Sequence, residues 1–210
     1  PLPAGSVRRP VPSQQPPPLP AGSVRRPVQG TNSRNSQSIM DESTQAVLKT
    51  WQLNRALLFV QDVIGEGNFG EVSSGTYGQN ELEEKKVAIK SLKLDAGTTR
   101  EVRESVAKAF LLEAKILMEF ADGPNVLKLI GVTTSHEPWL IVTELAAFGD
   151  LHGVLKRCKA SNVNLRLDEQ LSYGGQISVG MRYLARRQFI HRDLASRNCL
   201  VMERGIIQIG

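Results

Sequence analysis

The feature that most constrains this chain is a glycine cluster sealed between two β-forming runs. Leu58 to Ile64 reads LFVQDVI and Glu71 to Tyr77 reads EVSSGTY, with Gly65-Glu66-Gly67-Asn68-Phe69-Gly70 between them. Strand signals on both sides mean that the glycines return the chain within a sheet instead of opening a helix. Lys86 to Leu92 (KVAIKSL) supplies a third strand after a polar loop, Gly78 to Lys85, and the three read as an antiparallel meander. Thr98-Thr99-Arg100-Glu101 opens a helix in which Val102, Val106, Ala109, Phe110, Glu113, Ile116 and Leu117 share one broad face, with Glu113 its single charged member. Val126 to Val132 and Trp139 to Glu144 complete a five-stranded antiparallel sheet with one helix. Beyond Glu144 the pattern turns helical, over Asp150 to Lys159 and Asp168 to Arg187, with Leu171, Gly174, Ile177, Met181 and Leu184 on one stripe of the second helix. Its glycines, Gly174, Gly175 and Gly180, each cost up to about 1 kcal/mol against alanine, so it needs packing to hold. A polar loop, Ile190 to Asn198, and a short hairpin, Cys199 to Met202 and Ile206 to Ile209, follow. The expected class is α+β.

Composition separates a tail from this unit. Nine of the eleven prolines lie in the first 28 residues, where PLPAGSVRRPV occurs twice, at Pro1 to Val11 and Pro18 to Val28. Residues 1–40 hold five arginines and no acid, whereas from Asp41 onward 21 basic residues meet 21 acidic ones. The net charge of +5 thus belongs to the tail, and nothing in the remainder argues for a nucleic-acid face. Such a proline-rich, weakly apolar segment is expected to be disordered with polyproline II character over 1–42. Its Pro17-Pro18-Leu19-Pro20 and Arg9-x-x-Pro12 strings are of the kind that proline-recognition modules bind. Residues 43–57, with Ser43 or Thr44 as a helix cap, lead into the domain. No apolar run approaches the ~18 residues of a membrane span, so attachment to a bilayer would require a helix ahead of Pro1. Two cysteines, Cys158 and Cys199, point to a reducing, intracellular setting and offer no metal cluster with His136, His152 and His191.

Three motifs carry chemistry. Gly65 to Val72 fits G-x-G-x-x-G-x-V between strands, which is either a glycine-rich hairpin turn or a loop whose backbone approaches phosphate oxygens. Val87-Ala88-Ile89-Lys90 follows on the next strand, projecting an ammonium beneath that loop. A sheltered ammonium needs a carboxylate, and Glu113, set among apolar neighbours, supplies one. His191-Arg192-Asp193-Leu194-Ala195-Ser196-Arg197-Asn198 matches H-R-D-L-x-x-x-N at every fixed position. The mechanics of that string are a carboxylate, Asp193, that orients or accepts a hydroxyl proton and an amide, Asn198, that binds magnesium.

On these motifs the chain, from about Trp51 to Gly210, resembles the protein kinase family and within it the tyrosine kinases. The resemblance implies a two-lobed fold over 58–210, with an N-lobe at 58–143, a hinge at 144–148 and an incomplete C-lobe at 149–210. It implies ATP and Mg2+ as cofactors: Gly65, Gly67, Gly70 and Lys90 on the phosphates, Ile64, Val72, Ala88 and Leu200 about the adenine, Thr143 as gatekeeper, and the backbone of Glu144 and Ala146 at the adenine edge. It also implies Asp193, Lys90 and Glu113 as catalytic machinery, with Asn198 on magnesium. Ala195 and Arg197 resemble the A-x-R form of tyrosine kinases, in which the arginine helps place the phenol; tyrosine-bearing proteins are the implied substrates. Trp51-Gln52-Leu53-x-Arg55 and Gly180-Met181-x-Tyr183-Leu184 are similar to the same group. The setting it implies is the cytoplasmic part of a receptor, a receptor-type tyrosine kinase, in preference to a cytosolic enzyme.

Ile206 to Gly210 resembles the lead-in to D-F-G, so the residues given are expected to be inactive alone and to fold poorly, the activity belonging to a longer protein. The alternative is a non-catalytic module, a pseudokinase or truncation that docks partners through the repeated tail.

Overall fold

The computed structural model describes residues 26–28, 42–67, 70–79, 84–92 and 97–210. The strands are β1 (Arg26–Pro27), β2 (Leu58–Gly67), β3 (Gly70–Tyr77), β4 (Lys85–Leu92), β5 (Leu129–Thr133), β6 (Leu140–Glu144), β7 (Cys199–Val201) and β8 (Ile207–Ile209). The helices are α1 (Glu42–Thr50), α2 (Arg100–Glu119), α3 (Leu151–Ala160) and α4 (Leu167–Arg186). The first six strands form one antiparallel sheet in the order β1-β2-β3-β4-β6-β5, and β7 pairs with β8.

The sheet is buried on both faces at β5 and β6, whose residues are mostly apolar at successive positions. On one face Leu129 and Ile141 pack with Leu48 of α1 and with Ala107, Phe110, Leu111 and Ala114 of α2. On the other, Leu58, Val87, Ile89, Leu140 and Val142 form a second cluster against which Leu53 and Val28 lie. The helical half packs around Phe148, Leu151, Val154, Val201 and Ile207. Helix starts follow local chemistry: Thr99 Oγ1 accepts the Val102 N–H, and Asp150 Oδ1 accepts the Gly153 N–H at 2.8 Å.

Four sequence expectations need correction. The sheet has a sixth strand, since Arg26 and Pro27, inside the segment read as disordered, pair with Val60 and Phe59; apart from Val28, the rest of that segment up to Asp41 lies outside the described residues. The inner face of α2 is Ala107, Phe110, Leu111 and Ala114, while Val102 is exposed. A seven-residue face drawn around Glu113 is centred on the edge of the buried stripe instead of its middle. The fifth strand starts at Leu129 and not at Val126, because Val126 bridges to Ile209 and Leu127 donates its N–H to the Ile209 carbonyl, tying this stretch to the β7–β8 hairpin. Finally, α4 exposes Leu171 and Gly174 and packs through Gln176, Ile177, Gly180 and Leu184. A polar residue belongs to that face because the Gln176 amide serves the hairpin backbone: its Oε1 accepts the Ile207 N–H at 2.8 Å and its Nε2 donates to the Gly205 carbonyl at 3.1 Å.

Candidate active site

Residues directly opposite one another in an antiparallel ladder present their side chains to the same face. Val72 lies opposite Lys90 and Lys90 opposite Ile141; two residues away, Ala88 lies between Ser74 and Thr143. Val72, Ala88, Lys90 and Thr143 therefore share the α2 face of the sheet, with Val72 and Lys90 nearer the β2–β3 turn than Ala88 and Thr143. Gly65 pairs with Val72 and Gly67 with Gly70, and Gly70 adopts φ 150°, a conformation open to a residue without Cβ. Asn68 and Phe69, the tip of the glycine cluster, lie outside the described residues. A Cβ built on Gly65 meets no atom within 4 Å, so the space beside that strand is open.

Lys90 and Glu113 meet. The ammonium donates to Glu113 Oε1 at 2.7 Å and to Oε2 at 2.6 Å, with side chains 22% and 34% exposed. Helix α2 brings the carboxylate there because Phe110, Leu111 and Ala114 anchor its inner face and leave Glu113 at the edge of that stripe. Both charges retain some water, so the pair orients the ammonium more than it stabilises the fold.

Thr143 is buried near the end of β6, and Glu144 follows at the crossing between halves. The Glu144 N–H donates to the Lys128 carbonyl at 3.0 Å, so its backbone donor is already used. The Ala146 carbonyl accepts the Gly149 N–H at 3.0 Å, and its own N–H has no hydrogen-bond partner among the described residues. Ile64 is exposed on β2, and Leu200 is half-buried on β7 opposite Gln208.

The loop after α4 gathers the remaining polar groups. Asp193 Oδ1 accepts from Arg197 Nη2 at 2.5 Å; Asn198 Nδ2 donates to Asp193 Oδ2 at 2.9 Å and to its carbonyl at 2.8 Å. Asn198 thus spends its amide nitrogen on the aspartate and leaves Oδ1 for another partner. Arg192 sits at φ 66°, in the left-handed region. His191 Nδ1 accepts the Asp193 N–H at 3.3 Å while Nε2 contacts the Gly210 carbonyl at 3.3 Å, an arrangement satisfied by the neutral ring with its proton on Nε2. The Gly210 N–H in turn donates to the Asn198 carbonyl at 2.9 Å.

A family model for protein tyrosine and serine/threonine kinases matches residues 58–210. The chain belongs to that family. Among the relatives of this kinase domain, tyrosine-protein kinase Fer of Homo sapiens is 39% identical over 162 residues, covering 77% of this chain and 18% of its own length. Fer of Mus musculus is 37% identical over 183 residues, covering 83% of this chain and 20% of its own. The transforming protein Abl of Abelson murine leukemia virus, also named a tyrosine-protein kinase, is 37% identical over 159 residues, covering 76% of this chain and 19% of its own. The chain spans about a fifth of the length of these relatives.

Sequence reasoning missed the residues that join the two halves of the kinase domain. Gln208 Nε2 donates to Glu144 Oε2 at 2.8 Å, linking the β7–β8 hairpin to the end of β6. Asn125, at φ 57°, donates through Nδ2 to the Ile207 carbonyl at 2.7 Å and to Gln176 Oε1 at 3.2 Å. Gly123-Pro124-Asn125 is a turn signal that points to such a conformation, since asparagine tolerates positive φ. Gln208 carries no comparable signal. Among the described residues no helix is long and apolar enough to cross a membrane, and no group of three or more His, Cys, Asp or Glu could hold a metal ion.

Proposed function

We propose that this chain is the ATP-binding and hydroxyl-orienting part of an intracellular protein tyrosine kinase, which transfers the γ-phosphate of Mg-ATP to tyrosine hydroxyls on proteins. The observation that carries the reading is Asp193 held from two sides on one loop, by Arg197 at 2.5 Å and Asn198 at 2.9 Å. A carboxylate fixed in this way can orient a phenol and accept its proton as the oxygen attacks phosphorus. Arg197 would place the ring of the incoming tyrosine, consistent with Ala195 standing where a lysine would serve serine or threonine.

The residues fit the cofactors. Asn198 Oδ1 is a hard oxygen of the kind magnesium takes, and magnesium keeps several waters and phosphate oxygens, so few protein ligands suffice. Lys90, oriented by Glu113, would neutralise phosphate charge beneath the glycine strands, with Gly65, Gly67 and Gly70 allowing close backbone approach. Ile64, Val72, Ala88 and Leu200 would flank the adenine, Thr143 would limit the depth of its pocket, and Ala146 offers a backbone N–H at its edge. Positioning and charge neutralisation would then supply most of the acceleration.

None of the relatives named above is called a receptor, so the proposal stops at a tyrosine kinase, attached to a membrane or not. Docking of proline-recognition modules on the tail remains part of the proposal. The test is phosphotyrosine formation by the full-length protein with Mg-ATP and a tyrosine peptide. Lys90→Met and Asp193→Asn should each abolish it while leaving circular dichroism and melting unchanged within about 1 kcal/mol. Activity retained in both variants, or label on serine alone, refutes the reading.

A further inference from the structure

The sequence writes PLPAGSVRRPV twice, and the structure describes the last three residues of the second copy. Arg26, Pro27 and Val28, at the end of the second copy, run along the outer edge of β2 with Arg26 opposite Val60 and Pro27 opposite Phe59; the Val28 N–H donates to the Leu58 carbonyl at 3.4 Å. Hydrogen-bonded and open pairs alternate in such a ladder. With Val28 and Leu58 a bonded pair, Pro27 falls on an open position, where its missing N–H costs nothing, and the Val60 N–H is directed at Arg26. Proline at an edge also ends the ladder, so no further strand can be added there. Val28 lies against the cluster of Leu58, Val87, Ile89, Leu140 and Val142, covering part of an apolar sheet face. Register, proline placement and the valine contact all match the motif R-P-V.

The first copy carries the same three residues, Arg9-Pro10-Val11, in the same context of eleven. We infer that the β2 edge is a binding site for the repeat, and that the first copy, residues 7–11, is an alternative occupant that takes the edge when the second copy leaves it. The mode is β-strand addition, main-chain bonds giving affinity and the valine giving the fit. The segment between the docked valine and α1 is residues 29–41 for the second copy and residues 12–41 for the first. A connection a little over twice as long lowers closure of the first copy by about three- to fourfold, a preference small enough for exchange. Whichever copy is docked, one PLPAGSVRRPV stays available to another partner.

The test is amide hydrogen exchange at Val60 in the full chain, with wild type, Val28→Asp, and the double variant Val11→Asp with Val28→Asp. Aspartate at either position would place a carboxylate against the apolar face. Val28→Asp should keep Val60 slowed, with protection reduced several-fold; the double variant should release it to the rate of an open edge; and added synthetic PLPAGSVRRPV peptide should restore protection in the double variant. Full release by Val28→Asp alone, unchanged protection in the double variant, or no rescue by peptide would each overturn the inference. Protection in Val28→Asp that rises with protein concentration also overturns it, by assigning the edge to a second molecule.

Discussion

Three glycines in one helix provide an internal control on how α4 is held, and their predicted effects differ in sign. At Gly174 and Gly175 an added Cβ meets nothing within 4 Å. Both positions are exposed, so alanine there should stabilise by about 0.5–1 kcal/mol each, through lower unfolded-state entropy and better helix propensity. At Gly180 the same Cβ lies 2.7 Å from the Asn125 carbonyl oxygen and 2.8 Å from Ile209 Cδ1. The isoleucine tip can rotate away; the carbonyl cannot, because it is backbone and accepts the Ile209 N–H at 2.8 Å. Overpacking of this kind costs about 1–3 kcal/mol, against the same helix gain, so Gly180→Ala should lose about 1–2 kcal/mol net. Urea titration of the full-length protein, with m-values compared across variants, reads each as a shifted midpoint. A midpoint raised by Gly180→Ala as much as by Gly174→Ala would refute the packing argument, since it would mean that helix and Asn125 separate at no cost.

Two further outcomes follow from buried groups. Gln208→Glu puts a carboxyl at a position 6% exposed against Glu144, where the amide now donates at 2.8 Å. Protonated, the new group can still donate, whereas ionised it faces a like charge, so its folded pKa is raised above the unfolded value. The fold is then favoured below the ordinary carboxylate range and loses stability as pH rises through it, by about 1.4 kcal/mol for each tenfold difference in proton affinity between folded and unfolded chains; melting of the variant should fall relative to wild type as pH rises from below that range to above it, and equal losses at both ends would sink the idea. Burial pushes the Cys199 thiol above its ordinary value, while Cys158 is partly open to solvent. A thiol reagent at neutral pH should therefore label Cys158 first and Cys199 only on unfolding, followed by mass spectrometry of the two peptides; early label on Cys199 would contradict its burial.

The parts legible in the sequence are those in which a few adjacent residues decide the outcome. The glycine cluster between strands, Lys90 on the third of those strands and the loop from His191 to Asn198 all announce themselves locally, and Lys90 meets Glu113 as charge balance demands. The misread parts depend on distant partners. Val126 has the composition of a strand residue, yet its neighbour bonds Ile209, over eighty positions away. Leu171 has the spacing of a core residue, but Gln176 is what the hairpin backbone requires, and a polar side chain on a packed face has no signature of its own. Arg26 and Pro27 are hidden by their own composition, because a proline-rich tail argues against a strand in every case except an edge that accepts one.

The arrangement also explains why the Asp193 loop can be polar and largely exposed yet hold one geometry. Asp193 and its partner Arg197 are each 62% exposed in their side chains, so solvent competes with every bond between them. What limits the loop is its attachment to β8: the Gly210 N–H binds the Asn198 carbonyl, His191 meets the Gly210 carbonyl, and Ile209 is bonded on both its N–H and its carbonyl by Asn125 and Leu127. Asn125 is in turn pressed between Gly180 and the hairpin. A short hairpin of three-residue strands is marginal by itself, so its firmness is borrowed from α4 through that contact. The positions of Asn198 and His191, and through them of Asp193, therefore rest on packing at Gly180, a residue with no side chain and no chemistry of its own.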